Sequence, residues 1–406
     1  MKLIIWLVVL LDAQLDATGL QPAASPFACT GLYVSSAKVA DHEVVALVDT
    51  GCEACFIDKK FFDQHLASTV TQIGTTSIVL GGGRIVVAPK FVAPVQLSSC
   101  RQLEVLSSLV EQQQLSKTIG YDLTVVIGMS YLAQYPMRFN GALGSVEQLA
   151  VDAALPMSPA LHLRTRSNRP VVPITLPLIG VRDFLIDTGM NRAIALEANR
   201  LEQLERGGFA VRLPEPPRRI SDGDGNVHEE FTYWLRRIEI NGRRFENLLA
   251  TTAKEAIIGM ELLRHFDMTI DCPGKRLWME ALPGSDDASF APGGTGFNFR
   301  FDPQHRLLVL ENMRSGGPSE LAGIKPGDEV VAIDGTSVHG WSYYAVTDRF
   351  SQAGTNLRLK CRRNGENFEV EFTLKHRVQY PPDWPPEREE FNPDAAPETK
   401  PESEKP

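Results

Sequence analysis

The chain has 406 residues, 43% of them apolar and 22% charged, with 32 glycines and 27 prolines. At about 100–200 residues per domain, that length predicts two to four domains, each able to bury its own core. A net charge of −9 excludes a nucleic-acid scaffold, since no basic block is available to displace counterions from phosphates. No apolar run reaches the roughly 18 residues of a membrane helix, so no internal span is expected.

At the N-terminus, Lys2 precedes nine consecutive apolar residues, Leu3 to Leu11. That is the length of a secretory apolar core and too short for a span, so residues 1–29 read as a signal-like segment. Asp12 and Asp16 follow at once without a small-residue cleavage site. The other reading is a short buried strand. Export to a periplasm or to the outside is the expectation, with a cytoplasmic location as the alternative.

Six cysteines, at 29, 52, 55, 100, 272 and 361, permit disulfides in an exported chain, with a connectivity that sequence does not give. Cys52-x-x-Cys55 lacks a second such pair or a histidine pair at zinc spacing, which argues against a metal. Thr-Gly in front of Cys52 also argues against a thioredoxin-type redox motif.

Self-similarity organises the middle of the chain. Val44 to Val48 is an apolar, mostly β-branched run that ends in Asp49-Thr50-Gly51, and Phe184-Leu185-Ile186 ends in Asp187-Thr188-Gly189. Each run follows another strand-like stretch and a turn, so both read as hairpins ending at the aspartate. Downstream of each, at a similar distance, comes an apolar pair before Gly-Met: Val126-Ile127-Gly128-Met129 and Ile257-Ile258-Gly259-Met260. Between these landmarks each copy carries a glycine-rich turn, Gly81-Gly82-Gly83 in the first and Asp222-Gly223-Asp224-Gly225 in the second. The chain therefore holds two β-rich units, 30–145 and 165–282, joined by a polar stretch over 146–164. For either Asp-Thr-Gly alone, the plain reading is a β-turn after a strand. Two copies with matching downstream landmarks argue for a site.

These features resemble the retropepsin-like aspartic proteases over about residues 30–282, with both halves in one chain. The resemblance implies two tandem acid-protease β-barrel repeats facing each other as an intramolecular pseudo-dimer in a monomer. It implies an endopeptidase acting on polypeptides, with Asp49 and Asp187 as its catalytic dyad. Two carboxylates held close cannot both ionise, so they keep one proton between them and titrate as a pair. One member serves as base toward a water, the other as acid toward the peptide carbonyl. Thr50 and Thr188 supply hydroxyls that can lock the two loops together, and Gly51 and Gly189 let backbone approach the carboxylates. The resemblance further implies that Gly81–Gly83 and Asp222–Gly225 are flaps over the substrate. The chain departs from the family at Cys52 and Met190, where alanine is usual. It departs again at Cys55 and Ala193, where a small hydroxyl is more typical, and its first flap has no aromatic residue near the tip. The same fold without activity, a silent adaptor, is the alternative. Asp222-x-Asp224-x-Asn226 hints at a calcium loop, but Val227 stands where glycine is needed and no glutamate closes the loop. No metal and no cofactor are expected.

From Gly293 the pattern changes. Gly294-Thr295-Gly296-Phe297 precedes alternating strands, then Ala322-Gly323-Ile324-Lys325-Pro326-Gly327-Asp328, Asp334-Gly335, a helix near 341–353 and two strands split by Asn364-Gly365. This resembles a PDZ domain, a β-sandwich with helices, over 292–376. The resemblance implies that Gly294, Thr295, Gly296 and Phe297 offer backbone N–H groups to the carboxylate of a protein C-terminus, while the next strand takes the peptide by β-augmentation. A small β-domain without a ligand is the alternative. Residues 377–406 are proline-rich, and from Tyr380 onward they hold eight acidic residues against three basic ones. With so little apolar surface to bury, this segment reads as a disordered acidic tail.

Overall fold

The computed structural model describes residues 31–376 apart from 80–84, 99, 120, 142–143, 151–155, 157, 214–217, 222–226, 284–292, 302–305, 310–312 and 342. The signal-like segment, the acidic tail, Cys29 and both flap tips, Gly81–Gly83 and Asp222–Gly225, lie outside the described residues.

The chain is mainly β. The first unit runs through β1 (Val34–Val39), β2 (His42–Val48), β3 (Cys55–Asp58), α1 (Lys59–His65), β4 (Gln72–Val79), β5 (Ile85–Leu97), β6 (Leu103–Val110), α2 (Gln113–Ile119), β7 (Val125–Ile127), α3 (Met129–Leu132), β8 (Met137–Asn140) and β9 (Ser145–Gln148). The strands pair in the order β1-β2-β7-β3-β6-β5-β4, and β1 also pairs with β5, so six of them close into a barrel. All three residues of β7 are buried, as its uninterrupted Val-Val-Ile requires of a strand covered on both faces.

The second unit repeats this plan. It comprises β10 (Leu161–His162), β11 (Arg164–Arg166), β12 (Arg169–Leu176), β13 (Gly180–Ile186), β14 (Ile194–Glu197), α4 (Ala198–Arg206), β15 (Ala210–Arg212), β16 (Arg218–Ser221), β17 (Val227–Glu230), β18 (Thr232–Ile240), β19 (Arg243–Ala253), β20 (Ile257–Ile258), α5 (Met260–Leu263), β21 (Phe266–Asp271) and β22 (Arg276–Ala281). The order β12-β13-β20-β14-β19-β18 closes through a β12–β18 pairing. In both barrels the strand before Asp-Thr-Gly runs parallel to the strand before Gly-Met, with Val48 opposite Ile127 and Ile186 opposite Ile258. The next strand, β3 or β14, pairs antiparallel to that second strand on its other side.

The barrels are joined by more than a linker. A third sheet, β10-β22-β21-β8-β9, draws strands from both units, with Phe139 of β8 opposite Met268 of β21. The connecting stretch 146–164 supplies most of β9 and the whole of β10 to this sheet. Tyr33, Val48, Phe139, Phe184, Ile258 and Met268 belong to one continuous buried cluster, so the two units share a core.

The last unit has its own core, built on Phe297, Phe301, Leu307, Val330, Val346 and Leu359. Its elements are β23 (Gly293–Gly294), β24 (Phe299–Phe301), β25 (Leu307–Val309), α6 (Pro318–Leu321), β26 (Glu329–Ile333), β27 (Thr336–Ser337), α7 (Tyr343–Ser351), β28 (Asn356–Arg363), β29 (Glu366–Thr373) and β30 (Lys375–His376). β24 is the edge of the sheet β24-β25-β26-β28-β29, and β23 pairs with β30. Helix α7 docks this unit on the barrels. The Tyr343 ring lies 2.5 Å from the position a side chain on Gly31 would take, and Asp348 forms a two-bond pair with Arg264 at 2.6 and 3.1 Å.

Cys52, Cys55, Cys100, Cys272 and Cys361 are all free thiols. Among the described residues no helix is long and apolar enough to cross a membrane.

Phe139 tests the shared core. It is fully buried and meets Tyr33 edge-on at 5.5 Å. Phe139→Ala is expected to cost about 3–5 kcal/mol in chemical denaturation, with both barrels lost in one transition. Separate transitions for the two barrels would contradict a common core.

Candidate active site

The two aspartates are set by backbone pairing. Asp49 N–H donates to Ile127 O and Asp187 N–H to Ile258 O, each at 3.0 Å. The parallel strands therefore carry register up to the carboxylate-bearing residue. The glycine after each of those strands packs directly under the Asp-Thr-Gly loop of its own unit. A Cβ on Gly128 would stand 2.2 Å from Ala54 O, and one on Gly259 would stand 2.4 Å from both Met190 O and Arg192 O. Only a residue without a side chain allows that approach, which accounts for the repeated apolar-apolar-Gly.

Thr50 and Thr188 bind the loops to each other. Thr50 Oγ1 donates to Ile186 O at 2.6 Å and accepts from Thr188 N–H at 3.1 Å. Thr188 Oγ1 donates to Val48 O at 2.8 Å and accepts from Thr50 N–H at 3.0 Å. Both threonines are completely buried, so no water can replace these four bonds. The exchange brings Asp49 and Asp187 together. A Cβ on Gly51 would lie 2.5–2.7 Å from the Asp187 carboxyl atoms, and one on Gly189 would lie 2.5–2.9 Å from those of Asp49. Each carboxyl group thus stands over the glycine of the other loop. Gly51 N–H donates to Asp49 Oδ1 at 2.7 Å and Gly189 N–H to Asp187 Oδ1 at 2.9 Å.

Burial, and then the charge of Asp49, push the Asp187 carboxyl well above the usual carboxylate range, against the opposing effect of the Gly189 N–H. A carboxyl raised in this way by burial and a neighbouring carboxylate favours its protonated form. The arrangement is chemically equipped to take a proton from one group and give a proton to another in the same step.

The two hairpins that lead to the glycine-rich turns are paired on either side of those turns. β4 and β5 pair out to Val79 opposite Ile85, and β16 and β17 pair out to Ser221 opposite Val227. Glu230, at the end of β17, is ion-paired at 3.2 Å with Arg192 of the loop after Asp187, which ties the base of that hairpin to that loop.

The segment Gly294–Phe297 is elsewhere, between β23 and β24. Gly296 has φ +87°, a conformation that favours glycine, and its carbonyl accepts from Arg314 N–H at 2.7 Å. Thr295 is buried, and its hydroxyl accepts from Phe297 N–H at 3.3 Å. Phe299 of the edge strand packs across to α7, 5.0 Å from the Tyr343 ring and 5.5 Å from Phe350.

Two contacts escape a reading by motif. The Cys52 thiol donates to Asp49 Oδ2 at 2.9 Å. Ser130 Oγ accepts from Cys55 N–H at 3.0 Å, so the hydroxyl missing from residue 55 is supplied by the helix after Gly128. The mismatch of Cys52 with Met190 is the one visible signal for the first contact. Nothing local signals the second.

Residues 309–363 match the PDZ domain family. Rho GTPase-activating protein 23 from Mus musculus is 29% identical over 76 residues, 19% of this chain and 5% of that protein. A carboxyl-terminal-processing protease from Synechocystis sp. is 26% identical over 150 residues, 36% of this chain and 33% of the protease. Among solved structures, a photosystem II D1 C-terminal processing protease is similar at 29% identity, covering 22% of this chain and 24% of that one, with a TM-score of 0.20. An aminopeptidase N family protein from Idiomarina loihiensis is similar at 25% identity over 22% of this chain and 15% of its own, with a TM-score of 0.19. The chain thus spans about a third of the processing protease's length and a twentieth of the GTPase-activating protein's. It contains a PDZ domain and has a distant similarity to a processing protease.

The raised Asp187 carboxyl has a consequence for stability. The folded state holds its proton more tightly than the unfolded chain, so its contribution is full below the ordinary aspartate value of about 4 and is lost as pH rises through the folded value. Asp187→Asn removes that loss. The variant is expected to gain stability over wild type at neutral pH and to match it near pH 3, measured by denaturant unfolding across pH. A difference that grows toward acid would contradict the assignment.

Proposed function

We propose that residues 30–282 are a retropepsin-like aspartic endopeptidase folded as a single-chain pseudo-dimer, with Asp49 and Asp187 as the catalytic dyad. One observation carries this reading: each carboxyl group stands over the glycine of the other's Asp-Thr-Gly loop, 2.5 Å from where a side chain would be. Such a pair has one ionised and one protonated member at working pH. The ionised carboxylate takes a proton from a water seated between the two, and the hydroxide attacks the peptide carbonyl carbon. The protonated carboxyl gives its proton to the carbonyl oxygen. Collapse of the tetrahedral intermediate breaks the C–N bond, and the amine leaves with a proton returned by the dyad. Gly51 and Gly189 N–H groups hold the carboxylates in place, and the hairpins that end at Gly81–Gly83 and Asp222–Gly225 serve as flaps that exclude bulk water.

In the same reading the PDZ domain binds free protein C-termini through Gly294, Thr295, Gly296 and Phe297, with β24 pairing to the incoming strand. The enzyme works as an exported monomer. The distant similarity to a processing protease supports a proteolytic setting. A silent adaptor of the same fold is the outcome if peptide capture is found without cleavage.

Asp49→Asn and Asp187→Asn are each expected to abolish cleavage of a mixed peptide library, followed by mass spectrometry, and a statin-type transition-state mimic should inhibit the wild type. Retention of most of the rate in either variant defeats the dyad.

For the PDZ domain, fluorescence anisotropy with peptides ending in an apolar residue should show at least about tenfold weaker binding when the C-terminal carboxylate is amidated, since charge-assisted hydrogen bonds are lost. Gly296→Ala, which strains a φ of +87°, should weaken the free-carboxylate peptide similarly. Equal affinity for both peptides would assign binding to the strand alone.

A further inference from the structure

The two dyad loops are matched in backbone but not in side chain. Backbone N–H groups of Gly51 and Gly189 reach the carboxyl of their own loop at 2.7 and 2.9 Å. Cys52 N–H and Met190 N–H each donate to the carbonyl of the loop's own aspartate at 3.3 Å. The side chains after glycine break the symmetry. Cys52 Sγ lies 2.9 Å from Asp49 Oδ2 as a donor. Met190 carries no donor, and its Cε lies 2.8 Å from the position a Cβ on Gly259 would take, so its tip packs under the loop.

We propose that Cys52 is a positioning residue for the dyad, whose thiol, by donating to Asp49 Oδ2, makes Asp49 the ionised member and leaves the shared proton on Asp187. The assignment rests on the hydrolytic reading above and deepens it by naming the base and the acid. An ionised carboxylate only accepts hydrogen bonds, whereas a protonated one must also place its own O–H. A thiol pointing at Asp49 Oδ2 therefore favours the charged form there. Asp187, with no side-chain donor in the matching place, is left to hold the proton and points it toward Asp49.

The thiol stays a donor while the carboxyls titrate. Burial, then the charge of Asp49, hold it well above the ordinary cysteine range, with Asp187 and Cys55 adding to the effect. Its other surroundings are apolar: Cys52 packs against the cluster of Val34, Leu47, Ile119, Leu123 and Val126. The nearest guanidinium in the second loop, Arg192, is paired with Glu230. Cys55 does not compete as a redox partner, because it is fully buried with its sulfur 3.4 Å from Ser130 Oγ. With so little thiolate, Cys52 is also a poor nucleophile, which separates this role from a redox switch.

The test compares wild type with Cys52→Ala and Cys52→Ser, first by the pH dependence of kcat/KM on a cleaved peptide. Cys52→Ala should move the acid limb up by about half a unit to one unit, and Cys52→Ser, which restores a donor, should return it most of the way. An alanine profile that superimposes on wild type overturns the proposal while leaving hydrolysis intact. The second readout needs no activity. The infrared S–H stretch lost in Cys52→Ala should lie below those of the other thiols and rise when Asp49 is protonated by acid or replaced by asparagine. A Cys52 band at the free-thiol frequency that ignores Asp49→Asn overturns the proposal. If no variant cleaves any peptide, the hydrolytic reading fails, and the infrared titration alone decides whether Cys52 governs the proton.

Discussion

The reciprocal bonding of Thr50 and Thr188 is the constraint on which the site depends. Each hydroxyl donates to a backbone carbonyl of the opposite barrel and accepts a backbone N–H of the opposite loop. Both are sealed from water, so leaving either unpaired strands buried donors and acceptors. Such a lock closes only if both barrels present their loops at matching depth. That depth is set by the parallel pairing of β2 with β7 and of β13 with β20, and by the shared sheet through β8 and β21. The barrels and the sheet are thus subordinate to four hydrogen bonds at the centre. Those bonds hold each carboxyl group over the glycine of the other loop.

The motifs legible in the sequence are those in which the backbone dictates the residue. Asp-Thr-Gly and apolar-apolar-Gly recur because Gly51, Gly189, Gly128 and Gly259 each occupy places where a Cβ would strike a carboxyl group or a carbonyl. The six-strand closure, the β8–β21 pairing and the two-residue strand β10 were not legible. Pairing between distant strands leaves no local pattern, and β10 is too short to show an alternation. The stretch 146–164 reads as a connection because its apolar residues follow no sustained alternation and are broken by Pro156 and Pro159. Leu161 still pairs with Leu277 at the margin of the shared sheet.

Departures from symmetry carry as much information as the repeat. Cys55 looks deficient beside a small hydroxyl, yet its N–H is met by Ser130 Oγ, so the bond survives with its donor and acceptor redistributed. Cys52 and Met190 differ because one side chain faces a carboxylate and the other fills the space beside Gly259. In the proposed hydrolytic reading, two similar halves divide the work of acid and base only if something makes the two carboxyls inequivalent. The residue after glycine is the nearest place where a side chain can do so without disturbing the backbone frame.

The same economy governs the attachment of the PDZ domain. Its docking helix α7 uses Tyr343 twice, against Gly31 of the first barrel and against Phe299 of its own edge strand. The Arg264–Asp348 pair beside it has an exposed carboxylate, and such pairs contribute about 1 kcal/mol or less. Ring packing therefore dominates the attachment. Arg264 directly follows α5, and the glycine that opens α5 lies under Met190 O and Arg192 O of the second dyad loop. The surface that receives α7 is thus the far end of the helix that supports Asp187. A displacement of Tyr343 by a chain pairing with β24 would act on a segment one short helix away from the loop that carries Asp187.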